Sequence, residues 1–191
     1  MRYFLVDKTV FDNNRVGMYG KLIYAILCKF LNADGTCFPS RKTISKCGNF
    51  SISTYNKYVS VMLLENVLEK KIRVRKNGSQ TSNLFKLKKN KENSFPVRSD
   101  IFSKGLSSTA VCVYICLARH IAEDNCCRVS QHLIAEKCSI SISSVIRAVK
   151  ELKSANMLET IKQTNINNNG NYVLLLSLIH ISEPTRQEAI S

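Results

Sequence analysis

The stretch from Ser40 to Asn66, SRKTISKCGNFSISTYNKYVSVMLLEN, decides the fold. It reads as two short helices joined by a tight turn, the second with one apolar and one polar face. Ninety positions on, Ser130 to Asn156, SQHLIAEKCSISISSVIRAVKELKSAN, aligns with it without a gap. Ser40 falls on Ser130, Ile44 on Ile134, the run Ser51, Ile52, Ser53 on Ser141, Ile142, Ser143, and Val59 on Val149. One module has been used twice, and 191 residues then divide into two units of roughly 80 to 90 residues each.

Serines suit both helix starts in each copy, because a hydroxyl accepts from the free amides of the first turn: Ser40 and Ser130 ahead of the first helix, Ser51 and Ser141 ahead of the second. The first of these helices is expected to reach about Lys46 and Lys137, and the second about Asn66 and Asn156, residues that suit a helix end. Tyr55, Val59 and Met62, matched by Val145, Val149 and Leu152, step by four and three and are expected to face a core. Ile52 and Ile142 are expected to pack on the preceding helix. Upstream, Met18 to Leu31 and Leu106 to Ile121 keep apolar residues at helical spacing, which predicts an amphipathic leading helix in each copy. The β-branched run VCVYI at 111–115 scores as strand by propensity, but its alignment with the first copy favours helix. Tyr24 and Tyr114 fall at equivalent places and read as core tyrosines with hydrogen-bonded hydroxyls. Before each leading helix, YFLVDKTVF at 3–11 and FPVRSDIF at 95–102 share a pattern that starts as a short strand.

Downstream, Ile72 and Val74 alternate with Arg73 and Arg75, an NGS tip turns, and Leu84 to Leu87 returns, which is a β-hairpin. The second copy has a similar outline with an Asn and Gly tip but lacks the arginines. The segments NADGTCFP and AEDNCCRV read as loops, and KLKKNKENS at 86–94 as a charged linker that permits relative motion unless the units pack together. The fold class is thus mainly α with small β-hairpins (α+β), in units 1–87 and 95–175 joined by 88–94. The last stretch, LSLIHISEPTR at 176–186, looks like the translation of a sequencing adapter, with QEAIS as a barcode. The native sequence is then expected to be cut off near Leu175, and 176–191 is left out of the functional argument.

The formal charge is +14 with a pI near 9.6. It is uneven: residues 1–91 hold 18 Lys and Arg against 5 Asp and Glu, whereas residues 92–191 hold 10 against 9. Such an excess points to a polyanionic partner, most often nucleic acid and less often an acidic membrane surface, and places the electrostatic footprint on the first copy. There is no secretory signal and no apolar run of spanning length, so the eight cysteines read as reduced thiols in a cytoplasmic protein. A zinc site built from Cys126, Cys127, Cys138, His120 and His132 lacks any CxxC pair, and no metal or other cofactor is expected. No phosphate-cradling loop, carboxylate pair or activated nucleophile is present, so no enzyme is read here.

Taken with the CFPSRKTIS lead-in, the SISTYNKYVSVMLLENVLE helix and the NVLE or NMLE exit into a hairpin, both copies resemble the bacterial winged helix-turn-helix modules of replication initiators, phage replisome organisers and related regulators. The second copy departs in having Val129 where the first has Pro39, and Ser144 where it has Thr54. The resemblance implies two tandem winged helix-turn-helix domains that bind double-stranded DNA in replication initiation or transcription regulation of a plasmid, phage or bacterial system.

A helix in the major groove reads base edges, so Ser53, Thr54, Asn56, Lys57 and Ser60 are candidate base or phosphate contacts, with Asn56 best suited to adenine. Ser40, Arg41 and Lys42 would grip the backbone; Arg73, Arg75 and Lys76 would follow phosphates or enter the minor groove. Ser143, Arg147 and Lys150 are the weaker set of the second copy. A homodimer, or a replication or regulatory protein partner, remains open on this reading. So does an alternative in which the copies form a replisome or partition adaptor binding proteins, which the near-neutral second copy favours.

Overall fold

A computed structural model of the chain describes residues 3–88, 92–122, 126–161 and 171–175. The expected adapter-derived tail, the second hairpin's tip and residues 89–91 of the expected linker lie outside the described residues. The elements run β1 (Tyr3–Asp7), α1 (Lys8–Asp12), a 3-10 turn (Asn14–Val16), α2 (Gly17–Lys29), β2 (Thr36–Cys37), α3 (Arg41–Gly48), α4 (Ile52–Leu64), β3 (Leu68–Lys71) and β4 (Leu84–Leu87). The order then recurs: β5 (Ser94–Arg98), a 3-10 turn (Ser99–Ser103), α5 (Ser108–Arg119), β6 (Cys126–Ser130), α6 (Gln131–Cys138), α7 (Ile142–Ser154), β7 (Glu159–Ile161) and β8 (Asn171–Leu175). The class is mixed helix and strand with small sheets, and the run VCVYI lies within helix α5.

Local chemistry explains the helix limits. The hydroxyls of Ser40, Ser51, Ser130 and Ser141 accept from the amides of Thr43, Thr54, Leu133 and Ser144 at 3.0, 3.1, 3.1 and 3.3 Å. Just beyond the helices, Asn49, Asn66, Ser139 and Asn156 take left-handed backbone with φ of 53°, 53°, 55° and 52°. The next amide then returns to the carbonyl five residues back: Phe50 to Ser45, Val67 to Met62, Ile140 to Ala135, Met157 to Leu152. Helices α3 and α6 accordingly extend past Lys46 and Lys137 to Gly48 and Cys138.

Several expectations are corrected by packing. The stretches read as loops contribute strands: β2 and β6 each pair with the returning strand, giving three-stranded sheets in the orders β2-β4-β3 and β6-β8-β7. Two paired residues, Thr36 and Cys37, are too few to show a period in sequence. Strand β3 begins at Leu68, ahead of the Ile72–Arg75 alternation; that stretch continues the hairpin through a Val74–Gln80 bridge, with Ile72 and Val74 exposed. On α7 the core is met by Val145, Ala148 and Leu152, while Val149 is only half-buried. Ile52 is 41% exposed at the start of α4 instead of packed on α3.

The leading helices are not amphipathic. Every residue from Gly20 to Cys28 of α2 is buried, and likewise Ala110 to Ala118 of α5. The cause is that each is covered all round: α2 packs on α3, α4, β1 and also α5, so both copies contribute to one continuous core. Tyr24 and Tyr114 are buried in that core, and the Tyr24 hydroxyl donates to the Lys88 carbonyl at 3.4 Å. Burying each such side chain contributes roughly 1.5–3 kcal/mol.

The halves meet with local two-fold symmetry. Strands β1 and β5 pair antiparallel in the register Tyr3↔Arg98, Phe4↔Val97, Leu5↔Pro96, Val6↔Phe95, Asp7↔Ser94. Equivalent positions here are 91 apart, so the register is symmetric about Leu5↔Pro96, as in an isologous dimer interface made within one chain. The other contacts are exchanged in the same way. The Ser108 hydroxyl, at the start of α5, sits 2.7 and 2.9 Å from the Gly48 and Asn49 carbonyls that end α3, and the Lys21 ammonium of α2 donates to the Lys137 carbonyl that ends α6. Arg119 bonds Asp12 at 2.7 Å, while Lys29, its counterpart, lies 5.2 Å from the Phe102 ring.

Candidate nucleic-acid interface

The first copy brings three sequence segments to one surface. The first turn of α3 carries Arg41 and Lys42, both exposed, while Ser40 is half-buried with its hydroxyl committed to the cap and to the Thr43 hydroxyl at 2.8 Å. The outward face of α4 carries Ser53, Asn56, Lys57 and Ser60, all exposed, because its inner face is fixed on the core by Tyr55, Val59 and Met62. The hairpin beyond β3 carries Arg73, Arg75 and Lys76, also exposed. Its tip is tightly made: the Asn77 carboxamide oxygen accepts from the Ser79 amide at 3.2 Å and its hydroxyl at 2.7 Å, and Gly78 takes φ of 79°.

Two adjoining clefts join these segments. A cleft of about 480 Å³ lies between the start of α3 and the hairpin, lined among others by Ser40, Arg41, Lys42, Arg75 and Thr81. A second of about 220 Å³ lies between α4 and the hairpin, lined by Asn56, Ser60, Lys70 and Ile72 among others. Arg41, Tyr55, Gln80 and Asn83 line both, so the two form one cationic groove.

Of the residues singled out in the sequence, Ser40, Arg41, Lys42, Asn56, Ser60 and Arg75 therefore meet in the groove. The others flank it. Ser53 and Thr54 turn their hydroxyls to Ser51 at 2.7 and 2.9 Å, which ties them to the cap. Lys57 lies 5.6 Å from the Tyr58 ring, and the Arg73 guanidinium lies 4.7 Å from the centre of the half-exposed Phe38 ring, a cation–π contact. Ser60 donates to the Asn56 backbone carbonyl at 3.1 Å, and both residues line the second cleft. In the second copy Ser143, Arg147 and Lys150 are exposed on α7, with Ser143 tied to Ser141 at 2.9 Å and Arg147 to Ser144 at 3.4 Å.

Sequence reasoning passed over Lys70, Gln80, Asn83 and the Tyr55 hydroxyl. Tyr55 was assigned to the core, where its ring is indeed buried, yet it also lines both clefts beside Asn83 of the hairpin. Burial raises the pKa of the Tyr55 phenol, and the neighbouring Asn83 carboxamide and Arg41 guanidinium only partly offset the rise. The available signal was the run SQTSN at 79–83, five uncharged hydrogen-bonding residues facing a strongly basic outgoing arm.

Among the described residues no helix is long and apolar enough to cross a membrane. No curated protein matches the chain. A family model described as a helix-turn-helix domain matches residues 104–158, a span from just before α5 to the turn after α7, so this part of the near-neutral half carries a helix-turn-helix module, a type of fold that serves DNA binding.

Proposed function

We propose that the chain is a sequence-specific double-stranded DNA binder made of two tandem winged helix-turn-helix units, 1–87 and 95–175, joined by 88–94. The observation that carries this reading is the single cationic groove formed by the start of α3, the outer face of α4 and the hairpin of the more basic half. Helix α4 enters the major groove, with Asn56 and Lys57 at base edges; Arg41, Lys42, Arg75 and Lys76 hold phosphates on either side. The symmetric pairing of β1 with β5 supports a role for α7 at an adjoining half-site, with Ser143, Arg147 and Lys150 as its weaker contacts. The action is binding, in the cytoplasm, with no catalysis and no cofactor, in replication initiation or transcription regulation of a bacterial or mobile-element system.

Mobility-shift titration of residues 1–175 on random-site DNA tests this. Engaging ~6 phosphates gives a log–log salt slope near −5 together with sequence preference. Binding that is flat with salt and indifferent to sequence sinks the reading. The second reading, a replisome or partition adaptor that captures proteins, draws on the low net charge of residues 92–191. Reversing Lys57, Arg73 and Arg75 to Glu separates them: DNA binding is lost under the first, whereas capture of a helicase or its loader persists under the second.

A further inference from the structure

The two arms of the first hairpin are chemically unlike. The outgoing arm carries Lys70, Lys71, Arg73, Arg75 and Lys76, while the returning arm, Ser79 to Asn83, carries only hydroxyls and carboxamides. The returning arm is tied by its backbone to the outgoing one. Gln80 is bridged to Val74 through the backbone, the Thr81 amide donates to the Arg73 carbonyl at 2.9 Å, and the Gln80 side chain donates to the Asn83 carboxamide oxygen at 3.5 Å. Asn83 in turn lines both clefts beside Tyr55, whose ring is locked in the core beneath α4. The second copy has Val145 at the Tyr55 position, buried in the core without a hydroxyl, so this contact is private to the basic half.

Cations suit phosphates, which carry no sequence information; carboxamides present a donor and an acceptor together and suit base edges. With α4 in the major groove, a hairpin alongside it reaches over the sugar–phosphate ridge into the adjoining minor groove. There the one feature that separates G·C from A·T is the guanine 2-amino group. We propose that Gln80 and Asn83 are specificity-determining residues that read the presence or absence of that amino group beside the α4 site, and that Tyr55 is the positioning residue that holds Asn83 for the task. The proposal rests on the DNA-binding reading above and extends it from phosphate grip by the outgoing arm to base discrimination by the returning arm.

The test uses duplexes that alter only the minor-groove edge. Residues 1–175 first select a binding site from a random pool; flanking G·C pairs are then replaced by inosine·C, which removes the 2-amino group, and flanking A·T pairs by 2,6-diaminopurine·T, which adds it. Wild type should change affinity by about fivefold or more at one or two flanking positions. Gln80→Ala and Asn83→Ala should flatten that response while keeping the salt slope and the core preference; Asn56→Ala should do the reverse. Tyr55→Phe, with its melting temperature monitored, should blunt the flanking response without changing the core preference. The proposal is overturned if wild type ignores the amino group, or if the Gln80 and Asn83 variants respond as wild type does. A chain that selects no site at all overturns the DNA-reading function itself, an outcome distinct from selection with blind flanks.

Discussion

Lys21 shows how much one residue depends on its surroundings. Its counterpart in the second copy is Val111, and both are buried, but Lys21 brings an ammonium into the seam between the halves, where it donates to the Lys137 carbonyl. Burial pushes its pKa below the usual lysine value, partly opposed by the nearby thiols of Cys112, Cys138 and Cys116. A base with a depressed pKa binds fewer protons in the folded than in the unfolded chain between the two pKa values, so its penalty on stability is full at low pH and fades as pH rises toward 10.5. Urea midpoints compared for wild type and Lys21→Met should therefore converge toward, or shift in favour of, wild type as pH rises from 7 to 10. A pH-independent difference would mean that the ammonium is solvated. Nothing in the local sequence marks this lysine, since GKLIYAILCKF reads equally well with Lys21 on a solvent face.

Among elements, α4 and α7 are the best specified locally. Each has a serine cap, an apolar inner face and an asparagine in left-handed conformation after its end; the caps and the asparagines as helix ends were legible in sequence, the left-handed backbone and Ala148 on the inner face of α7 were not. Ser51→Ala and Ser141→Ala should each lower stability by about 1 kcal/mol, read by thermal or chemical denaturation. Equal loss from the pair would mark the caps as equivalent; no loss from Ser51→Ala would show that Thr54 finds another acceptor. Strands β2 and β6 lie at the other extreme. Thr36–Cys37 forms a strand only because Phe85 and Lys86, some fifty residues on, come to pair with it, and no local propensity announces that.

At the scale of the molecule, the expected linker does not separate two independent bodies: β1 pairs with β5, α2 packs on α5, and Asp12 holds Arg119 and Lys137 at 2.7 and 3.0 Å. Residues 1–175 should unfold in one cooperative transition, and the isolated segment 1–91 should lack a cooperative transition because α2 would expose the face that α5 covers. Two resolved transitions in calorimetry would contradict this coupling. The fused two-fold also bears on assembly, since one chain already supplies the paired arrangement that a single-module protein reaches by dimerising.

The local elements follow from short-range chemistry that sequence carries openly: serine hydroxyls within reach of the next turn's amides, apolar residues every three or four positions, and asparagines able to adopt left-handed backbone. The duplication and the charge imbalance between the halves were likewise plain, and three of the cations they pointed to, Arg41, Lys42 and Arg75, line the clefts. Only the tertiary structure decided that the copies share one core, that α2 and α5 are buried all round, and that Tyr55 meets Asn83 of the hairpin in the groove. Those features depend on side chains that meet across roughly thirty to ninety intervening residues, where shape and hydrogen-bond complementarity decide the pairing and sequence periodicity carries no trace of it.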